Sequence, residues 1–362
     1  MKQGGSDFYR RLWVSLGCVG LTLFLGQCGS GLTLSHSGAS NLFSFYAGIQ
    51  GSNSHSYIVK VTYNPNLNTY SAAAPIQTDD GAAITGDSQR GFGIGPTGLY
   101  FVGGTAASTS ALRVFNDATQ SFLSNITLSG SVVGTGLTDI HGLCVSPAGH
   151  FMAASYGAGG AQSVYEFDAT GAYLRTLATF TYTMSACEWT GSNTLVAVDY
   201  NGNGFGTGSG DEFGIVRQFA YAGGTWTQTT SFDAATLYST ISLFAFAADS
   251  DGNFYFPPQD PQTVSVDTRR LVRCSQTNLT GCTLVGNDIT AGTGIVTGDV
   301  DEPQGIIALP GTVDLLILSN TISNNSAVLL RYATQLGSYT VVPPSSSAAQ
   351  FPALISAIRS AH

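Results

Sequence analysis

The chain has 362 residues, of which 10% are charged, and its formal net charge is −9. Only two residues are lysines, Lys2 and Lys60. It is longer than a typical domain of about 100 to 200 residues, but closed all-β folds run longer as one unit. The sequence has no basic stripe, which argues against a nucleic-acid partner, because affinity for phosphates needs clustered Lys and Arg. Its 45 glycines favour short strands joined by tight turns over helices.

The first 28 residues have the pattern of an export signal. Lys2, Arg10 and Arg11 precede an uncharged, largely apolar run over residues 12–26. A basic start followed by a short apolar core is typical of a secretory signal, and this core is shorter than the ~20 residues of a membrane-spanning helix. We therefore predict that the signal covers residues 1–28 and that the body of the protein is exported.

The apolar run ends in Leu25-Gly26-Gln27-Cys28, which resembles the lipobox of bacterial lipoproteins, where the cysteine is acylated and becomes the mature N-terminus. Gln27 departs from the pattern, since small residues are usual there. Ser15-Leu16-Gly17-Cys18 fits the pattern better but leaves a shorter apolar core. The resemblance implies lipidation of Cys28 and a membrane anchor in the periplasm, outer membrane or cell surface. Cleavage without lipid and a retained anchor are the alternatives.

The remaining cysteines suggest disulfides in an oxidising compartment. Cys274 and Cys282 flank seven residues, a spacing that lets two antiparallel strands face each other across a turn. We predict a hairpin disulfide there. Cys144 and Cys187 occupy similar places in two successive repeats, so they either bridge neighbouring units or are small buried residues.

One pattern recurs along the chain: an apolar strand, a turn, a second apolar strand, a variable loop and a hairpin. The turn-following strand recurs at spacings of 57, 52, 44, 59 and 61 residues, measured between Leu42, Leu99, Phe151, Leu195, Phe254 and Leu315. These spacings are typical of four-stranded propeller blades with loops. We predict an all-β, six-bladed β-propeller over residues 31–342, whose first blade begins near Leu32, with seven blades as the alternative.

Two segments carry a family resemblance. Residues 141–177, HGLCVSPAGHFMAASYGAGGAQSVYEFDATGAYLRTL, resemble an NHL-type propeller repeat, and Glu302-Pro303-Gln304-Gly305-Ile306 resembles that family's Pro-x-Gly-Ile entry to the innermost strand. The resemblance implies a six-bladed fold shared with gluconolactonase-like and strictosidine-synthase-like enzymes and with NHL modules that only bind. Fold alone does not separate these functions.

Polar residues at the start of the predicted innermost strands are candidates for a channel site. Asp139 and His141 on one blade and Asp301 and Glu302 on another could bind a divalent metal. The lactonase-like relatives use a Glu, Asn and Asp set of this kind to hold such a metal and polarise a carbonyl. The alternative interpretation, which we favour, is that these groups hydrate and brace the channel mouth. A catalytic nucleophile motif is missing from the sequence.

A possible calcium loop lies at Asp199-Tyr200-Asn201-Gly202-Asn203-Gly204, which has the D-x-N-x-N-G spacing of such loops. Asp211 and Glu212 follow one and two residues beyond the usual closing position. A glycine-rich surface loop is the alternative. The segment Asp249-Ser250-Asp251-Gly252-Asn253 is better interpreted as a hairpin turn.

The tail over residues 343–362 begins with a Pro- and Ser-rich linker and ends in an apolar piece, Phe351 to Ile358. That piece either pairs with the first blade or forms a short helix. Together these observations predict a lipid-anchored binding or scaffolding module for a protein, glycan or small ligand, with no certain cofactor. A metal-dependent hydrolase or lactonase is the first alternative, and a structural protein of a surface assembly is the second.

Overall fold

The computed structural model describes residues 42–50, 56–78, 92–102, 111–138, 140–155, 161–200, 214–237, 245–257, 270–275, 279–287, 302–321, 326–346 and 355–360. The chain divides into residues 1–41 and a compact unit from Leu42 onwards, and the described residues all belong to the second unit. The secondary structure of the described residues is almost entirely strand, with one short 3-10 turn at Ala234–Thr236.

Twenty-five strands form six antiparallel sheets, each with a path of four hydrogen-bonded strands. The strands of blades one to three are β1 (Phe43–Gln50), β2 (Ser56–Asn64), β3 (Thr69–Ala72), β4 (Ile76–Gln77), β5 (Phe92–Gly95), β6 (Gly98–Val102), β7 (Ala111–Phe115), β8 (Phe122–Thr127), β9 (Ile140–Val145), β10 (Phe151–Ser155), β11 (Gln162–Phe167) and β12 (Tyr173–Phe180). Those of blades four to six and the closing strand are β13 (Thr183–Gly191), β14 (Thr194–Tyr200), β15 (Gly214–Ala222), β16 (Thr225–Asp233), β17 (Ala247–Ala248), β18 (Asn253–Phe256), β19 (Leu271–Ser275), β20 (Thr283–Val285), β21 (Glu302–Ala308), β22 (Leu315–Thr321), β23 (Ser326–Ala333), β24 (Ser338–Val342) and β25 (Ile355–Ser360). The predicted six-bladed propeller is thus confirmed.

The C-terminal strand β25 closes the ring. It pairs antiparallel with β1, so the first sheet runs β25-β1-β2-β3, with β4 on β2. Of the two predictions for the apolar tail, pairing with the first blade is therefore confirmed. The prediction that this blade begins near Leu32 is wrong for the strand beside β1, because β1 already has β2 and β25 as its two neighbours. The segment from Leu32 lies outside the described residues.

Six apolar clusters hold the blades together, one between each pair of neighbours. Strand β1 shows how one strand contributes to two clusters: Phe45 and Ala47 pack against blade six, whereas Tyr46 between them packs against blade two. Successive side chains of a strand point to opposite faces, and both faces of a blade are covered here. The strands therefore consist of nearly continuous apolar runs, and the six clusters around the ring account for its closure.

Close contact between innermost strands requires small residues. Gly142 in β9 lies so near β13 that an added Cβ would be 2.0 Å from the carbonyl oxygen of Met184. Any larger residue would push blades three and four apart. Strand β9 also contacts β5, and β21 contacts β25. The innermost strands that lie next to the channel are therefore β25, β5, β9, β13, β17 and β21, one from each blade.

The antiparallel order gives the propeller two different ends. One, which we call the turn end, carries the connection from third to fourth strand of each blade and, in blades two to six, the connection from first to second strand. The predicted hairpin turn at Asp249 to Asn253 is there, as is a turn at Asp168 to Gly171, and both are closed by backbone hydrogen bonds such as Asp249 N to the Asn253 carbonyl oxygen at 3.0 Å. The second-to-third connections leave the opposite end, and all six lie outside the described residues.

Candidate functional site

A cavity of ≈ 560 Å³ lies in the channel near the turn end. Its wall consists of the final residues of five innermost strands, the turns that follow them, and Phe43 at the start of β1. The lining residues are Phe43, Gly93, Ile94, Gly95, Pro96, Cys144, Val145, Ser146, Pro147, Ala186, Cys187, Glu188, Trp189, Phe246, Ala247, Ala248, Ile306, Ile307, Ala308 and Pro310. Most of these side chains are small or apolar.

Few of the described side chains that face this cavity are polar. Among them Glu188 is the one ionisable group, and it is exposed. Trp189 beside it packs edge-on against Trp226, with 5.5 Å between ring centroids. A pocket of this size with an apolar wall and few polar groups is the usual form of a small-molecule site, whose volumes run from about 300 to 1,000 Å³.

A disulfide forms part of the cavity wall. Cys144 in β9 and Cys187 in β13 are bonded, with their Cα atoms 5.7 Å apart, and both are 5% exposed. The bond joins the innermost strands of blades three and four. Of the two alternatives for this cysteine pair, a bridge between neighbouring blades is therefore the correct one. The predicted hairpin disulfide between Cys274 and Cys282 is also present, with a Cα separation of 4.2 Å.

The four channel-mouth candidates belong to the other end of the innermost strands. His141 is the second residue of β9 and Glu302 is the first residue of β21, so both begin strands whose far ends line the cavity. Asp139 and Asp301 lie outside the described residues, and the side chains of His141 and Glu302 are likewise not described. Metal binding and catalysis by these four residues stay predictions.

Asp199, the first residue of the possible calcium loop, is engaged by protein donors. Its carboxylate is fully buried and accepts hydrogen bonds from the backbone N–H groups of Thr181 and Tyr182, at 2.8 and 2.9 Å. Arg217 adds an ion pair, with Nη2 2.7 Å from Oδ2. Calcium would therefore have to compete with a guanidinium for this carboxylate. Asn201, Asn203, Asp211 and Glu212 lie outside the described residues, so the loop stays a prediction.

A second buried carboxylate, Glu166, was not identified from the sequence. It accepts a 2.8 Å hydrogen bond from the Trp226 indole, lies 3.1 Å from Arg175 Nε and 3.0 Å from His150 Nδ1. Trp226 belongs to blade four and the other three residues to blade three, so this network joins two blades. In the sequence, only Trp226 and Arg175, on the outer strands of these two blades, could have indicated this network. Within the part of the chain that the structure describes, His, Cys, Asp and Glu form no group of three suited to a metal.

Several tyrosines are buried in the blade interfaces. Burial raises the pKa of Tyr46, and hydrogen bonding to Asp117 and the charge of that residue raise it further. Burial is also the main cause that raises the pKa of Tyr63, Tyr255 and Tyr332. These phenols are structural and lie outside the cavity lining.

Comparison with known proteins gives the fold. A candidate 6-phosphogluconolactonase from Bacteroides fragilis matches over 90% of this chain and 99% of its own, at 14% identity and a TM-score of 0.50. The extracellular domain of a candidate hybrid two-component system from B. thetaiotaomicron matches over 76% of this chain but only 31% of its own, at 11% identity and a TM-score of 0.42. No family model and no curated protein matches the chain. At such identities the likeness extends to the propeller fold alone.

Among the described residues, helices of the length and hydropathy needed to cross a membrane are absent.

Proposed function

We propose that this protein is an exported, membrane-anchored binding module that holds a small, largely apolar ligand in its channel cavity. The observation that carries the proposal is the lining of that cavity: among the described residues, the ends of five innermost strands present apolar side chains and backbone around ≈ 560 Å³, and Glu188 is the single ionisable lining group. Such a lining favours the burial of an apolar ligand.

Export is supported by three features. Residues 1–28 have a basic start and an apolar core, Cys28 ends a lipobox-like sequence, and both disulfides are typical of an oxidising compartment. Acylation of Cys28 would hold the propeller at a membrane surface. Intact mass of the protein extracted from membranes tests this, because acylation adds the mass of lipid chains to a polypeptide that begins at Cys28.

Ligand binding can be tested on the full chain by native mass spectrometry after mild extraction. We expect a non-covalent adduct on the wild type that is weakened or absent in Ala248→Phe, since Ala248 lines the cavity and a phenyl ring there would take up part of its volume. Ala222→Phe is the matched control, because Ala222 is exposed at the end of β15. Adducts of equal abundance on all three proteins would contradict binding in the cavity.

A metal-dependent hydrolase at the opposite end of the channel is the second candidate. It is favoured by the position of His141 and Glu302 at the starts of two innermost strands, and by the lactonase name of one structure with this fold. Elemental analysis of wild type and an Asp301→Asn, Glu302→Gln double variant tests it. About one divalent ion per chain that disappears in the double variant would support hydrolysis. An ion that persists there but is lost on Asp211→Asn would instead support the calcium loop.

A further inference from the structure

Exposed apolar side chains occur at the turn end of the propeller. Among the described residues, seven large apolar side chains are exposed, and six of them lie at or beside this end; these six are Leu42, Leu67, Phe122, Leu123, Leu174 and Leu336. Single exposed leucines are ordinary on protein surfaces, whereas several on one surface mark an interaction site. The seventh, Val341, lies near the far end of β24.

The two most exposed of these side chains occupy equivalent turns. Leu67 and Leu336 are 71% and 78% exposed, and each is followed by a residue of positive φ, Asn68 at 49° and Gly337 at 61°. Each lies at the tip between the third and fourth strands of its blade, blade one for Leu67 and blade six for Leu336. These blades are neighbours, because β25 closes the ring, and their shared apolar cluster includes Tyr63 and Leu329.

The tip segments around both leucines contain no charged residue, and the nearby Asp314 carboxylate, which accepts a hydrogen bond from Thr334 N, is paired with Arg331. The first reads Asn64-Pro65-Asn66-Leu67-Asn68 and the second Ala333-Thr334-Gln335-Leu336-Gly337. The corresponding turn of blade two contains Asp117, and that of blade three contains Asp168. A chain with a net charge of −9 therefore presents, on blades one and six, two neutral tips with a protruding leucine. That chemistry suits the neutral interface of a bilayer, where apolar burial provides the binding energy.

The position of the chain's start points to the same surface. Leu42, 48% exposed, begins the described part of blade one at the turn end, and Cys28 precedes it by only 14 residues (42 − 28). Even a fully extended stretch of that length spans at most about 50 Å. An anchor at Cys28 would thus hold the start of blade one within about 50 Å of the lipid.

We propose that the turn end of blades six and one docks on the membrane surface, with Leu67 and Leu336 inserted among the lipid headgroups. This inference rests on the membrane anchor in the proposed function. Because the cavity lies at the same end of the channel, docking would also place the cavity beside the bilayer, the natural source of an apolar ligand. Burying a leucine side chain at each tip should strengthen membrane binding by about tenfold or more per tip.

Depth-dependent quenching on the full chain tests this surface. The protein is reconstituted in phosphatidylcholine vesicles that contain headgroup-nitroxide lipid, with an NBD probe on Leu67→Cys or Leu336→Cys in a Cys18→Ser background. Thr170→Cys, at the exposed tip of the corresponding blade-three turn, is the control. We expect blue-shifted emission and several-fold stronger quenching at positions 67 and 336 than at 170. Equal quenching at all three positions would overturn the docking surface.

The experiments distinguish a wrong membrane anchor from a wrong docking surface. If the chain floats with vesicles but probes 67 and 336 stay in water, the anchor stands and the surface is wrong. If the chain is not acylated, the surface still predicts flotation with added vesicles that falls at least about tenfold in a Leu67→Ser, Leu336→Ser double variant. Flotation unchanged by the double variant, or probes shielded without vesicles in a chain that elutes as a dimer, would overturn it.

Discussion

Cys144 and Cys187 occupy neighbouring innermost strands and are joined by a disulfide that forms part of the cavity wall. The bond has the apolar cluster of blades three and four on one side, where Met152 and Leu195 pack, and the cavity on the other. It therefore fixes two blades at the place where the wall of the proposed binding site would otherwise depend on packing alone.

Loss of this disulfide should destabilise the protein more than loss of the hairpin disulfide. Cys144 and Cys187 are separated by 43 residues, and Cys274 and Cys282 by 8. Chain entropy predicts contributions of about 4 and about 2.5 kcal/mol, respectively. Urea unfolding of a Cys144→Ala, Cys187→Ala variant measures the first, and a Cys274→Ala, Cys282→Ala variant is the control. A larger loss in the control would contradict the role we give to the inter-blade bond.

Removal of Arg217 should leave a buried charge without its cation. Asp199 has a fully buried side chain, and Arg217 provides its one ion pair among the described residues. Breaking a buried pair in this way costs about 3 to 5 kcal/mol. We expect Arg217→Met to lower the free energy of unfolding by about 3 kcal/mol in chemical denaturation. Adding Asp199→Asn should recover part of that loss, and a double variant that is less stable than Arg217→Met would contradict the account.

Removal of the inter-blade hydrogen bond of Trp226 should lower the free energy of unfolding by a smaller amount. Its indole N–H donates to the Glu166 carboxylate, and Phe at this position keeps most of the ring packing but leaves the carboxylate with one donor fewer. We expect Trp226→Phe to cost about 1 to 3 kcal/mol in thermal or urea unfolding, the range for hydrogen bonds to charged groups. Trp189→Phe is the control, because its indole N–H has no hydrogen-bond partner within the described part of the chain. Equal losses in the two variants would show that ring size alone matters.

Alkaline pH should unfold the propeller through its buried tyrosines. Burial raises the pKa of Tyr46 above the ordinary value of 10.0, so the neutral phenol is favoured in the folded state. Its contribution to stability is fully present below pH 10 and is lost as the pH rises towards the folded-state pKa. We expect circular dichroism and tyrosinate absorbance to change together above about pH 10. Tyr46→Phe should show a shallower fall of stability with pH, and an unchanged slope would contradict this.

The fold was predictable because its signals are local and repeated. The six turns recur at blade length, and Asp168 and Asp249 carry the side-chain acceptors that such turns need. The closing strand could be proposed only as one of two possibilities, since pairing of residues 355–360 with β1 joins opposite ends of the chain. The segment from Leu32 has the apolar pattern of an innermost strand, but β25 holds the place beside β1 that it was predicted to fill.

The candidate site was harder to predict. Sequence reasoning identified the starts of the innermost strands as the site, because Asp139, His141, Asp301 and Glu302 are polar. The cavity at their far ends depends on the summed sizes of small residues such as Ala186 and Ala248 from separate blades. The partners of Asp199 and Glu166 likewise depend on strand register, which pairs Ala197 rather than Asp199 with Arg217.

Energy transfer from tryptophan to a neutral apolar probe, N-phenyl-1-naphthylamine, tests the central claim most directly, because Trp189 lines the cavity. In the full chain in detergent, we predict a saturable signal of one probe per chain in the wild type and in Ala222→Phe, and at least about tenfold weaker binding in Ala248→Phe with an unchanged melting temperature. A signal that is equal in all three proteins, or that rises without saturation, would contradict a binding site in the channel.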